Sequence, residues 1–235
     1  FALHWHFPQA YYSVYLAMTA FHETQGVAND QHEKSIKIFG NSVKDNHYPE
    51  AIAFYANGLF KAFNFHGLNT FTGFDNEFNS LSKIECLEDA QSQIACFLKT
   101  TRKQNAENKR KRSESNYAKD PRFQTSKGEL RKNLKKEHWN IIYQSIPETT
   151  LLNILYRLRI KANYHDIETF INADIDFMQF HKCLGNIVFY LNFVHEAYLH
   201  KCIGDENYRK ILYDFSGHIL DDRAKYRYEQ LISKL

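Results

Sequence analysis

Phe177 to Ile203, FMQFHKCLGNIVFYLNFVHEAYLHKCI, is apolar almost all the way round a helix, and Gly204 follows it as a stop. A helix of that kind needs neighbours on every side, so it is expected at the centre of an all-α bundle. It is not expected to span a membrane. Its most apolar part, Ile187 to Leu199, holds Asn192, His195 and Glu196 and falls short of the roughly 20 apolar residues that a span requires.

The rest of the chain supports a helical core. Of 235 residues, 43% are hydrophobic and 15% aromatic, with only 4 Pro and 9 Gly to interrupt elements, which favours long helices packed through Tyr and Phe. Four cysteines, Cys86, Cys96, Cys183 and Cys202, form no C-x-x-C pair and lie in helical segments, which points to a reducing, cytoplasmic setting. His181 with Cys183 and His200 with Cys202 are each two residues apart, about 200° around a helix, so no metal site is expected from them. No cofactor is expected either, since no glycine-rich phosphate loop or nucleophile elbow is present.

Working outward, Pro8 fits the first position of a helix over 8–25 that ends at Gly26, and Asn29 or Asp30 caps a second over 31–44. Pro49 is expected to open a third, carrying Ile52, Phe54, Tyr55 and Leu59. Short connections make these neighbours antiparallel. Residues 63–79 read as an irregular connection. A long helix from Ser80 passes Ile84, Leu87, Ile94, Phe97 and Leu98 and loses its apolar face beyond Thr101. A loop without periodicity covers 113–126, a helix covers 127–145, and Thr149 or Thr150 starts another that packs Leu151, Leu152, Ile154, Leu155 and Leu158 inward. A final amphipathic helix is expected over 205–233.

Charge is unevenly placed. Between Lys99 and Lys136 there are fourteen Lys or Arg against four Asp or Glu, a net of +10, whereas the whole chain carries +3. Arg102, Lys103, Lys109, Arg110, Lys111, Arg112, Lys119 and Arg122 make a candidate surface for a nucleic-acid backbone, with Tyr117 and Phe123 available to stack on bases. A solvated face, or a dock for an acidic partner, reads from the same residues equally well.

The candidate chemistry lies in Leu158-Arg159-Ile160-Lys161-Ala162-Asn163-Tyr164-His165-Asp166. Arg159 and Asn163 share a helical face at i and i+4, while His165 lies about 120° away, so a break near Asn163 or a second chain must bring it to Arg159. Arg131 and His138 fit a similar spacing by chance in a region dense in charge.

Three pieces in order resemble the HEPN superfamily. Gln9-Ala10-Tyr11-Tyr12-Ser13-Val14-Tyr15-Leu16-Ala17 is similar to its early Tyr-Tyr helix, Gly26 with His32, Ile36, Phe39 and Pro49 to the next turn and helix, and Leu158-Arg159 through Asn163-Tyr164 to the segment before the last long helix. The resemblance implies a HEPN-like antiparallel helical bundle over 1–60 and 150–235, with 61–149 as a large helical insertion bearing a basic mobile loop near 100–126. It also implies one more helix ahead of the tyrosine pair, upstream of Phe1 or replaced by another segment.

In function, the resemblance implies a metal-independent endoribonuclease acting as a homodimer, a toxin or phage-defence effector, with Arg159, His165 and Asn163 as its site and RNA as substrate. Ile160, where many active members carry a polar residue, favours the alternative: a non-catalytic interaction module in a defence or nucleotidyltransferase complex. Tyr11 and Tyr12 are expected as core or dimer-interface aromatics.

Overall fold

The computed structural model describes residues 3–27, 31–70, 85–164, 177–216, 226, 229 and 230. It is mainly helical, with a small antiparallel sheet. The elements in order are α1 (Leu3–Thr24), α2 (His32–Lys44), β1 (Tyr55–Leu59), β2 (Ala62–His66), α3 (Leu87–Arg112), α4 (Glu114–Tyr117), a 3-10 turn (Pro121–Phe123), α5 (Lys136–Gln144), β3 (Thr149–Thr150), α6 (Leu151–Tyr164), α7 (Phe177–Ile203) and α8 (Asp205–Ser216). They form two compact units. One comprises residues 1–35 and 158–235, the other residues 36–157, which include the whole segment read as an insertion.

In the first unit α1 packs along α7, and α8 also packs on α7. Phe7, Tyr11, Val14, Tyr15, Met18 and His22 recur every three or four residues along α1 and are all buried. Contacts between Phe7 and Phe180 and between Phe21 and Tyr198 advance together along both helices, so this pair runs parallel rather than antiparallel. No short loop joins α1 to α7, and none forces the opposite direction. Residue 8 is not the start of α1, which begins at Leu3 and carries Pro8 inside it. The stop is as expected: Gly26 adopts φ +72°, while the Val27 and Gly26 N–H groups donate to His22 O and Glu23 O in a Schellman turn. Among the described residues, no helix is long and apolar enough to cross a membrane.

The second unit corrects the expected third helix. Pro49 opens a turn instead, and β1 follows as the centre of a sheet in the order β2-β1-β3. β1 pairs with β2 from Tyr55↔His66 to Leu59↔Ala62, and with β3 at Tyr55↔Thr150 and Ala56↔Thr149. The physical reason is a period of two. Ala62, Asn64 and His66 are exposed while Phe63 and Phe65 are turned inward, and Gly58 takes φ +100° beside the Ala62 carbonyl. Phe54, Ala56 and Leu98 form one cluster, and Ala106, Phe123, Ile142 and Tyr143 another, with Phe60, Phe63, Tyr117 and Trp139 packed on the latter.

Residues 113–126, expected as a loop, hold α4 and the 3-10 turn. Asp120 accepts the Arg122 N–H at the start of that turn, Tyr117 stacks on Phe123 at 4.4 Å, and Phe123 is fully buried. One aromatic anchor fixes a stretch with no periodicity. The helix expected over 127–145 is shorter, and α7 matches its expected bounds. Beyond α8 only residues 226, 229 and 230 are described, and residues 80–84, expected at the start of α3, lie outside the described residues.

Candidate functional site

Arg159 lies on α6 and Tyr12 on α1, 147 residues apart, and the Arg159 Nη2–H donates to Tyr12 Oη at 2.7 Å in a solvent-exposed hydrogen bond. The guanidinium also sits 4.8 Å from the Tyr12 ring centroid and 5.5 Å from that of Tyr11. A delocalised planar cation gains from such ring faces, so the tyrosine pair fixes where this charge stands. The neighbouring tyrosines divide their work: Tyr11 is fully buried, whereas Tyr12 is 38% exposed.

His32, in the first turn of α2, joins the same group. Its Nδ1 lies 2.9 Å from Tyr11 Oη, and its ring is 4.4 Å from Tyr15, 5.5 Å from Tyr11 and 5.8 Å from Tyr12. Partial burial, and then the positive charge of Arg159, lower its pKa from the ordinary 6.5, so the imidazole is neutral at pH 7. A neutral imidazole and a fixed guanidinium therefore lean on the same two phenol rings. Such a set can hold an anionic oxygen while accepting a proton.

Compared with protein families, with curated proteins and with solved structures, the chain finds no match.

Of the expected site residues, then, Arg159 stands in a defined setting. Asn163 lies in the last turn of α6, which continues through it to Tyr164, but its side chain lies outside what is described, and His165 falls outside the described residues altogether. In the sequence His32 stands out only as part of a turn-and-helix pattern, because spacing does not show that residues 21 apart meet.

The basic set divides by setting. Arg102 must leave it: it is 3% exposed, its Nη1 donates to Pro147 O and Thr149 Oγ1, and its Nη2 donates to Gly58 O and Tyr143 O. Burial lowers its pKa to about 10, still well above neutrality, so it is an internal cation that ties α3 to the sheet and α5. Arg122 forms an ion pair with Asp120 at 2.7 Å, and Arg110 lies over Trp139 and donates to Lys132 O. Lys103, with its Nζ 5.9 Å from the Phe63 ring centroid, Lys111, Arg112 and Lys119 are exposed, and Lys109 is half-buried.

Lys109 to Arg112 are consecutive, 100° apart, and so encircle the end of α3 instead of forming a stripe. There they also complement the negative end of the helix dipole. The other spaced pair, Arg131 and His138, is not a site: His138 Nδ1 accepts the Lys135 N–H at the start of α5, and its Nε2 bonds to Arg122 O. Nor do the two His-Cys pairs converge. His181 lies edge-on to His6, His200 bonds to Asp205, and Cys202 accepts from Gln25.

Proposed function

We propose that this protein is a metal-independent, HEPN-like endoribonuclease in which Arg159 stabilises the charge that develops on a phosphodiester. The observation that carries the reading is the guanidinium held over the Tyr11 and Tyr12 rings, with a neutral imidazole against the same rings. The 2′-hydroxyl of RNA attacks phosphorus, the P–O5′ bond breaks, and the products are a 2′,3′-cyclic phosphate and a 5′-hydroxyl. DNA, which has no 2′-hydroxyl, is left intact. His165, with Asn163, completes the site in a homodimer, and Lys103, Lys109, Lys111, Arg112 and Lys119 add phosphate contacts that are indifferent to sequence.

The experiment is cleavage of RNA by purified protein in EDTA. Activity that persists in EDTA, spares DNA and is lost in Arg159→Ala and His165→Ala supports the reading. Loss with EDTA, or indifference to both substitutions, removes it. A toxin or defence-effector role in the cytoplasm predicts growth arrest on expression of the wild type and none with Arg159→Ala.

A non-catalytic interaction module is the second reading, favoured by Ile160 after the arginine and by the Tyr12 hydroxyl on Arg159. It predicts no RNA products and a stable complex with a protein partner, one bearing a nucleotidyltransferase in the case expected from sequence.

A further inference from the structure

His32 has more order around it than a surface histidine needs. Three rings of α1 enclose it, Tyr15 at 4.4 Å being the nearest, and the hydrogen bond to Tyr11 Oη fixes the ring plane. Among the described residues, the titratable and charged groups that face it include Tyr11, Tyr12 and Tyr15 from α1 and Arg159 from α6, with Glu33 next along α2. We infer that His32 is the proton acceptor of the site that Arg159 occupies, so that this unit brings its own histidine to the phosphodiester within a single chain. The inference rests on the nuclease reading above and adds a base to it that the Arg-to-His spacing did not supply.

Two tautomers are open to this ring. With Nδ1–H donated to Tyr11 Oη, the lone pair lies on Nε2, the form a general base requires. In the step, the 2′-oxygen forms its bond to phosphorus and its proton passes to the imidazole. The P–O5′ bond breaks, the leaving oxygen takes a proton from water, and the imidazolium returns its proton to the hydroxide so formed. Partial burial, and then Arg159, keep the imidazole neutral and so ready to accept a proton, while Arg159 also draws the phosphate toward these rings. The helix N-terminus at His32 acts in the same direction, since its positive end disfavours an imidazolium.

The competing structural role is plain: a fully buried tyrosine hydroxyl needs a partner, and His32 supplies one. His32→Asn separates the two, because an amide still reaches the Tyr11 hydroxyl and cannot carry the proton. With the full chain and RNA in EDTA, the expected result is a fall in kcat of about 10²- to 10⁴-fold with KM within about threefold. The acid limb of the wild-type pH profile, lying below 6.5, disappears. Independently of activity, an NMR titration of the His32 ring gives a pKa that matches that limb and rises in Arg159→Gln.

Wild-type protein that cleaves RNA while His32→Asn keeps its rate and pH profile overturns the assignment of His32 alone. The same holds for a His32 pKa that does not respond to Arg159→Gln. A wild type that cleaves no RNA overturns the nuclease reading and this inference together.

Discussion

Arg102→Ala tests whether charge in this chain is structural before it is functional. The guanidinium donates to three backbone carbonyls, Pro147 O at 2.8 Å, Gly58 O at 3.1 Å and Tyr143 O at 3.1 Å, and to Thr149 Oγ1 at 3.4 Å. Removing it orphans four acceptors, of which Thr149 Oγ1 and Tyr143 O are buried while Pro147 O and Gly58 O are part-buried and partly rehydrated, at roughly 5–8 kcal/mol together. Against that stands the relief from burying a cation, roughly 3 kcal/mol for a pKa depressed from 12.5 to about 10. The net expected loss is roughly 2–5 kcal/mol.

With a urea m-value of about 2–3 kcal/mol/M, the midpoint for the second unit falls by roughly 1–2 M. The assay is built into the sequence. Only two tryptophans are present, Trp5 in the first unit and Trp139 beside the Phe123 cluster in the second, and Trp5 is 57% exposed. In a Trp5→Phe background, Trp139 fluorescence reports the second unit alone. Arg102→Lys keeps the charge but lacks the planar fork, and recovers part of the loss. A midpoint within about 0.3 M of the parent, particularly with weakened RNA binding, would refute the reasoning, since it would put the guanidinium back among phosphate contacts.

Other outcomes follow from single positions. Gly58→Ala places a Cβ 2.2 Å from Ala62 O at φ +100°, and should unfold the hairpin or lower the second unit's urea midpoint by more than 1 M, read by Trp139. Phe123→Ala should cost about 3–5 kcal/mol and make residues 113–126 more susceptible to limited proteolysis than in the wild type. His195 is fully buried, and burial lowers its pKa to about 4, so the unfolded chain binds its proton first as pH falls. Stability should be full above 6.5 and fall by roughly 3 kcal/mol down to pH 4, and His195→Leu should flatten that slope in urea titrations across this range.

The sequence was legible where one period and one stop governed an element. Phe177–Ile203 is apolar round the helix and ends at Gly204, which takes φ +81°, and Gly26 closes α1. It was least legible at Pro49 to His66, where a proline suited to a helix start masked the alternation of Phe63 and Phe65, and a two-residue strand at Thr149 completed the sheet from far away in sequence. Phe123 and His32 belong to a second class. Their settings depend on contacts with residues outside their own elements, which no local pattern encodes.

Arg102 is a different case, because its signal was present. Leu98, Arg102 and Ala106 are spaced by four on one stripe of α3, and all three are buried, so position on the helix outweighed residue type. Arg159 shows the other outcome for the same side chain. Arg102 is enclosed by carbonyl oxygens, which fix its donors in a cage no larger ligand enters. Arg159 rests on ring faces, and its bond to Tyr12 Oη lies at the solvent edge. A cation of the second kind can exchange water for a phosphate oxygen without dismantling the fold, and one of the first kind cannot. What separates these two arginines is therefore not their charge but whether the guanidinium can give up a contact without breaking the fold, and on the function proposed above that favours Arg159 over Arg102.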